Sequence, residues 1–466
     1  MATFYINQHG CAKNQTDGEL ICSFLEQAGH TFTQQPDNAD YIIINSCGFI
    51  QSAKKESIDS VYSIKAAYPK ARIIMAGCLA QRYAQELNES MPELDGIFGN
   101  GDLSKIAAYI NQMEDGKNHA PDIYTQEGVC QGPREVLFNY KGSAYVKITE
   151  GCSNHCSFCA IPLIRGEVRS RPVKSIVQEI KELIAHGVYE INLIGQDLAA
   201  FCDQDKNDLA SLLQSISKLK GTFIVRTLYI HPDHFNTNIL EVFQNDKRFV
   251  PYFDIPFQSG DDNIICAMNR IGPASTYVKL INKIRKALPD AVLRTTFLTG
   301  FPGETEEAAE NTRNFLKAIR PVWSGTFTYS REEDTPAYNL KPRIPAKTAE
   351  KRAALLQELQ SQITMEQLQS FAGTQQNVLI EEILDTDPDS EGAEGLAIGR
   401  AWMQAPEVDG CTVIRYDLDD KKQVEMMKSG NVVKVKILSC TGVDLDSVLV
   451  SLEKEFVQSD IQFTVI

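Results

Sequence analysis

Three times near its start the chain runs a short apolar, β-branched segment into a cysteine: "FYINQHGC", "YIIINSC" and "RIIMAGC", ending at Cys11, Cys47 and Cys78. Helical patterns such as "GELICSFLEQAG" separate these runs. Strands alternating with helices predict βαβ units and a parallel sheet. In such a sheet all the carboxyl ends share one edge, and ligands bind there. Cysteines 36 and 31 residues apart can therefore converge without any local motif. Three such thiolates suit an iron–sulfur cluster with one iron left open; the competing reading is three ordinary buried cysteines.

The alternation returns on a larger scale from about Tyr140 to Ser330. Strand candidates are 144–149, 190–195, 224–230, 252–257, 293–299 and 325–330, most followed by a helical pattern. Six such units predict a partial (β/α)6 barrel of the TIM kind, against an open doubly wound sheet. Between the two regions, residues 116–135 are polar and turn-rich and read as a linker. A long helix is expected from Ala346 to Phe371. Five short strand patterns after it predict a small antiparallel β-barrel. The expected fold class is α/β. The expected domains are 1–125, 138–370 and 371–460.

"GCSNHCSFC" follows the first strand of the larger region and places Cys152, Cys156 and Cys159 in C-x3-C-x2-C spacing. In a barrel that loop lies on the catalytic face. No apolar leader opens the chain and no segment reaches the roughly 18 apolar residues of a membrane span, so a cytoplasmic location and no membrane partner are expected. There cysteines stay reduced, and clustered ones point to metal or catalysis. A [4Fe–4S] cluster normally takes four thiolates, so three leave one iron open for a ligand. The alternative is a zinc site that borrows His155, but structural zinc usually shows paired C-x2-C units. Cys22, Cys130, Cys202, Cys266, Cys411 and Cys440 follow no such pattern and read as packing or surface residues.

These motifs resemble the methylthiotransferase family of radical S-adenosylmethionine (SAM) enzymes, over nearly the whole chain. The resemblance implies two [4Fe–4S] clusters and SAM as cofactors. Cys152, Cys156 and Cys159 would hold the cluster whose open iron SAM chelates; Cys11, Cys47 and Cys78 would hold the second. It further implies an N-terminal methylthiotransferase domain, a radical SAM domain and a C-terminal TRAM domain. "GCAKNQTDGE", "NSCGFIQSAKKESI", "GCLAQRYAQEL" and "QAPEVDG" are similar to the protein-modifying, RimO-like branch, which acts on an aspartate of small-subunit ribosomal protein twelve. The tRNA-modifying branch reads nearer "GCQMN" at the first of these. Ala12, Gly18 and Gln404 depart from the branch pattern at positions that hold no proposed ligand.

Charge favours the same branch. The chain carries a net charge of -15, and residues 371–466 hold 18 acidic against 8 basic residues. A barrel that gripped tRNA should be basic, whereas an acidic one suits a basic ribosomal protein. The implied partners are that ribosomal protein, an electron donor of flavodoxin or ferredoxin type and a sulfur donor, with tRNA unlikely as substrate. Two alternatives stay open: tRNA adenosine methylthiolation, and an iron–sulfur electron-transfer or RNA-binding protein.

The resemblance and the strand ends also mark candidate cofactor-binding residues: Gln196 and Asp197 in "GQD", Arg226, Gln258, and Gly300 in "TGFPGET". Arg165, with Arg169 and Arg171 nearby, follows the cysteine loop and would shield the cluster or bind substrate carboxylate, unless the three form a solvated strip. None of the seven histidines is assigned a catalytic role.

Overall fold

The computed structural model describes residues 1–114, 120–125, 127–384, 394–457 and 461–465. Residues 116–119 and 126 of the expected linker, and the acidic Asp385, Asp387, Asp389 and Glu391, lie outside the described residues.

The N-terminal sheet contains β1 (Thr3–Gln8), β2 (Thr31–Phe32), β3 (Tyr41–Ser46), β4 (Arg72–Gly77) and β5 (Gly96–Phe98), in the order β2-β1-β3-β4-β5 and parallel throughout. Helices α1 (Ala12–Gln27), α2 (Gln51–Ala67) and α3 (Cys78–Ser90) follow β1, β3 and β4. The strand order reverses at the β1/β3 pair, which is where an open α/β sheet opens a crevice at its carboxyl edge. β3 is buried on both faces, as its run of three isoleucines anticipates.

The second sheet contains β6 (Ser143–Lys147), β7 (Glu190–Ile194), β8 (Ile224–Thr227), β9 (Phe249–Asp254), β10 (Val292–Thr299) and β11 (Trp323–Thr328). It is parallel, and its spatial order is its chain order. Sequential order with right-handed crossovers puts all the helices on one face, the partial-barrel solution, whereas a doubly wound sheet reverses. Ala144, Val146, Ile191, Leu193 and Val225 pack outward in the core that holds the crossover helices. Tyr145, Ile194, Leu228 and Tyr252 face the other way.

The C-terminal barrel closes β12 (Gln375–Leu384), β13 (Glu394–Ala401), β14 (Thr412–Asp417), β15 (Val432–Thr441) and β16 (Asp444–Lys454). The expectation of antiparallel pairing holds except between β14 and β16, which run parallel: a closed ring of five strands cannot alternate direction all the way round. This barrel plugs the floor of the larger one: Trp323 Nε1 donates to the Met403 carbonyl at 2.7 Å, and Tyr252 Oη donates to Asp409 at 2.6 Å. The long helix α5 is Ala346–Gln369.

The segment read as a linker is packed where it is described. Arg134 is buried, with ion pairs to Glu19 of α1 and to Glu179 on the barrel side. Near the chain end, Gln462–Phe463 pair in parallel with Val136–Leu137. Among the described residues no helix is long and apolar enough to cross a membrane.

Candidate active site at the junction of two cysteine loops

Cys11, Cys47 and Cys78 sit at the carboxyl ends of β1, β3 and β4. An added Cβ on Gly10 would lie 3.1 Å from Cys47 Cβ, and one on Gly48 would lie 2.7 Å from the Cys78 carbonyl oxygen. The three loops are therefore in contact. Gly77, before Cys78, has φ +89°, a conformation that favours glycine, and a side chain there would strike the Ser46 carbonyl. Burial, then repulsion from Cys78 and Cys11, pushes the Cys47 thiol up to about 12. Burial also raises Cys78, with Arg165 opposing. Cys11, exposed at the loop surface, goes the other way: desolvation by its neighbours pushes it up, but Lys13, Arg165 and the amides of Asn14 and Lys13 bring it below its ordinary value.

Cys152, Cys156 and Cys159 occupy one turn-rich loop after β6. The Cys152 amide donates to the Gly166 carbonyl at 3.0 Å, and the Cys159 amide to the Cys156 carbonyl at 3.0 Å. Gly151 has φ +76°, and a Cβ there would lie 2.2 Å from the Glu167 carbonyl oxygen. Burial pushes Cys152 up to about 11 and Cys159 to about 12, with neighbouring thiols adding to each. His155, offered from sequence as a fourth ligand, is exposed and lies 3.4 Å from Glu167 on the surface.

The two loops meet. Helix α4 (Ile161–Arg165) begins directly after Cys159, and its Ala160 and Ile164 pack on Cys78. At its end Arg165, 2% exposed, donates from Nη2 to Cys78 Sγ at 3.2 Å and to Asn14 Oδ1 at 3.3 Å. Asp17 at 2.9 Å and Glu150 at 2.6 Å hold the same guanidinium, and Lys147 bridges those two carboxylates. Asp17 comes from α1, and Glu150 lies two residues before Cys152. A buried, mutually satisfied charge network thus spans both cysteine sets. Arg169 and Arg171 do not form a solvated strip: Arg169 donates to the carbonyls of Gly128, Arg165 and Glu167, and Arg171 pairs with Glu179 at 2.5 Å.

Of the candidate cofactor contacts, Gln196 and Asp197 lie at the cysteine loop. Asp197 accepts from Asn154 Nδ2 at 2.9 Å, from the His231 amide at 3.0 Å and from the Ala199 amide at 2.9 Å. Burial alone would raise this carboxyl; the bonds from His234 and Asn154 hold it below its ordinary value. Gln196 Nε2 donates to Glu150 at 3.2 Å, while its Oε1, like Thr149 Oγ1 beside it, is buried without a partner among the described residues. Gln258 stands at the barrel mouth with φ +69° and its backbone bonded to Thr296 and Leu298.

One expectation is corrected. Arg226 does not reach the cysteine loop. It is fully buried toward the floor, bonded to Glu190 at 2.9 Å and to the Trp402 carbonyl at 2.7 Å, with its plane over Tyr252. Glu190 also takes Arg400 of the C-terminal barrel at 2.7 Å, so the ion pair seals the two barrels together. Gly300 has φ +75°, and a Cβ there would lie 2.3 Å from that of Ala349 on α5, so the turn packs closely on that helix.

The structure adds residues that no motif marked. His231 Nε2 lies 3.9 Å from Cys156 Sγ, and its Nδ1 accepts the Asp233 amide. Burial and then Arg270 depress its basicity to about 4. Arg270 is buried, its Nη1 donating to the Pro256 carbonyl and its Nε without a partner among the described residues. Lys13, two residues past Cys11, is buried with its ammonium 3.2 Å from the centre of the Tyr229 ring. Each of these is a lone polar residue in sequence, and only tertiary contact gives it a setting.

This donor set fits the implied groups. Each triad offers three free thiols, and metal binding would displace their protons. The partnerless atoms of Gln196, Thr149 and Arg270 fit a polar cofactor beside the second loop.

Residues 3–99 match the uncharacterized protein family UPF0004, residues 146–316 the radical SAM superfamily, and residues 372–450 the TRAM domain. The ribosomal protein uS12 methylthiotransferase RimO of Treponema denticola is 50% identical, over 95% of this chain and 99% of its own. The protein of that name from a Thermoanaerobacter species is 38% identical over 94% and 97%. Among solved structures, the radical SAM methyltransferase TsrM of Kitasatospora setae covers 72% of this chain and 74% of its own at 12% identity and a TM-score of 0.55, a likeness of fold alone. With three domain matches in this order and relatives at this identity along nearly its whole length, the chain belongs to the RimO family of radical SAM methylthiotransferases.

Proposed function

We propose that this chain adds a methylthio group to the β-carbon of an aspartate in small-subunit ribosomal protein uS12. The observation that carries the proposal is the meeting of two cysteine triads through Arg165, in a chain 50% identical to a uS12 methylthiotransferase. Cys152, Cys156 and Cys159 would hold the [4Fe–4S] cluster that binds SAM, and Cys11, Cys47 and Cys78 a second one. When bound, these groups supply a carbon radical that takes hydrogen from an unactivated C–H bond, and a route for sulfur to the same carbon.

The protein's own residues position and enclose. Asp17, Glu150, Lys147 and Arg165 fix the two loops relative to each other. Asp197 anchors the SAM-side loop through Asn154. Gln196, Thr149 and Arg270 offer donors and acceptors to SAM, with Gln258 at the rim. The C-terminal barrel closes the floor against water. Residues 1–125, 138–370 and 371–460 serve as the second-cluster, radical SAM and substrate-docking domains.

The acidic C-terminal region supports a basic protein substrate over tRNA, whose phosphates it would repel. The setting is cytoplasmic, with a flavodoxin- or ferredoxin-type electron donor and a separate sulfur donor. The test is anaerobic reconstitution with iron, sulfide, SAM and a reductant, followed by intact mass analysis of added uS12. A gain of one methylthio group supports the reading. Full SAM cleavage with unmodified uS12 and methylthiolated tRNA adenosine would move the chain to the tRNA reading.

A further inference from the structure

Most buried cations at the junction have acid partners. Arg165 and Lys147 each hold Asp17 and Glu150, and Arg294 holds Asp254 and Asp409. Lys13 does not. It is 8% exposed, and among the described residues it has neither an ion-pair partner nor a hydrogen-bond acceptor. Its ammonium lies over the face of Tyr229, which itself sits at φ +65° just past the end of β8. An ammonium carries three donors, and among the described residues the protein offers this one an aromatic face and no acceptor. Such a group can take an anionic ligand.

We propose that Lys13 receives the side-chain carboxylate of the substrate aspartate. The placement selects that ligand over the carboxylate of SAM. Lys13 lies on the Cys11 side of the junction, two residues past that cysteine at the start of α1. The second loop has its own buried cation without an acid partner among the described residues, Arg270: just before it, the Met268 carbonyl accepts the Ser157 amide at 3.0 Å and Asn269 Nδ2 donates to the His155 carbonyl at 2.9 Å. A carboxylate held at Lys13 sets the adjoining β-carbon between the Cys11 side and the barrel mouth at Tyr229. The site reads charge as well as shape, because an amide in place of the carboxylate offers a weaker acceptor to the ammonium.

This inference rests on the proposed function, and its test separates the two. Binding of uS12 to the reconstituted holoenzyme is measured for the natural protein and for uS12 with the target aspartate replaced by asparagine. The unsubstituted enzyme should prefer aspartate by roughly ten- to a hundredfold. Lys13→Met should bind both forms equally, and Lys13→Arg, which keeps the charge, should retain part of the preference. Iron content of each variant reports its fold. A Lys13→Met or, should that variant lose iron, Lys13→Gln enzyme that still prefers aspartate would overturn the inference while leaving methylthiolation of uS12 intact. Loss of SAM affinity with the preference unchanged would overturn it too, assigning Lys13 to the cofactor. Absence of uS12 methylthiolation by the unsubstituted enzyme is a separate result that removes the proposed function itself.

Discussion

Arg165 Nη2 lies 3.2 Å from Cys78 Sγ, so the helix that leaves one cysteine loop ends on a cysteine of the other. The contact is held from behind by Asp17 and Glu150, all three residues being buried. Coupling of the two triads is thus a property of the folded chain itself.

Removing that guanidinium leaves two buried carboxylates with Lys147 as their one cation among the described residues. Arg165→Met should cost about 3–5 kcal/mol of stability, as for other buried pairs broken on one side. Arg165→Lys should recover part of it, since it keeps charge but loses the fork. Denaturant unfolding of the iron-free proteins measures both. A loss below about 1 kcal/mol would mean the network relaxes around the gap.

The triads should separate by reaction. Alanine at Cys152, Cys156 and Cys159 together should abolish reductive SAM cleavage. Alanine at Cys11, Cys47 and Cys78 together should halve the bound iron, spare SAM cleavage and stop methylthiolation. Iron analysis and quantification of 5′-deoxyadenosine read the two apart, and an N-terminal triple variant that still methylthiolates would remove the second-cluster assignment.

Arg226 should behave as a structural residue. Arg226→Met leaves Glu190 with Arg400 as an ion-pair partner and the Ser143 hydroxyl as a donor, and is expected to cost about 3 kcal/mol by the same buried-charge argument. SAM affinity, measured by equilibrium dialysis, should change less than twofold. A tenfold loss of SAM affinity in a stable variant would return Arg226 to the cofactor site.

Asp409 gives a pH signature. Burial, opposed by Arg294 and the Tyr252 hydroxyl, raises its carboxyl from an ordinary 3.8 to about 6. The folded state therefore binds this proton more tightly than the unfolded chain. Its contribution is fully present below about pH 4 and is lost as pH rises to about 6, a fall of roughly 3 kcal/mol at most. Asp409→Asn should flatten that part of the stability profile. Parallel profiles for the two proteins would show that the carboxyl titrates at its ordinary value.

The cysteine triads were legible because the chain repeats one local grammar: a β-branched run, a turn, a thiol. The carboxyl-edge rule then brings Cys11, Cys47 and Cys78 together, and the strand order that reverses at β1/β3 puts two of them at the crevice. Arg226 was not legible, because the same rule places any residue late in a strand near the mouth. Its actual direction is set by Glu190, 36 residues earlier, and by the Arg400 that shares Glu190 across 210 residues. The polar composition of 116–135 suggested a free linker, yet composition cannot reveal that Arg134 finds Glu19, 115 residues away. Lys13 looks like an ordinary solvated lysine until the barrel mouth closes over it.

The most direct test compares cells with and without this gene, taking intact masses of the small-subunit ribosomal proteins and profiling tRNA nucleosides from the same cultures. The account predicts that uS12 alone loses one methylthio increment and that methylthioadenosine is unchanged. Unmodified masses in both cultures, or a loss confined to the tRNA nucleoside, would contradict it.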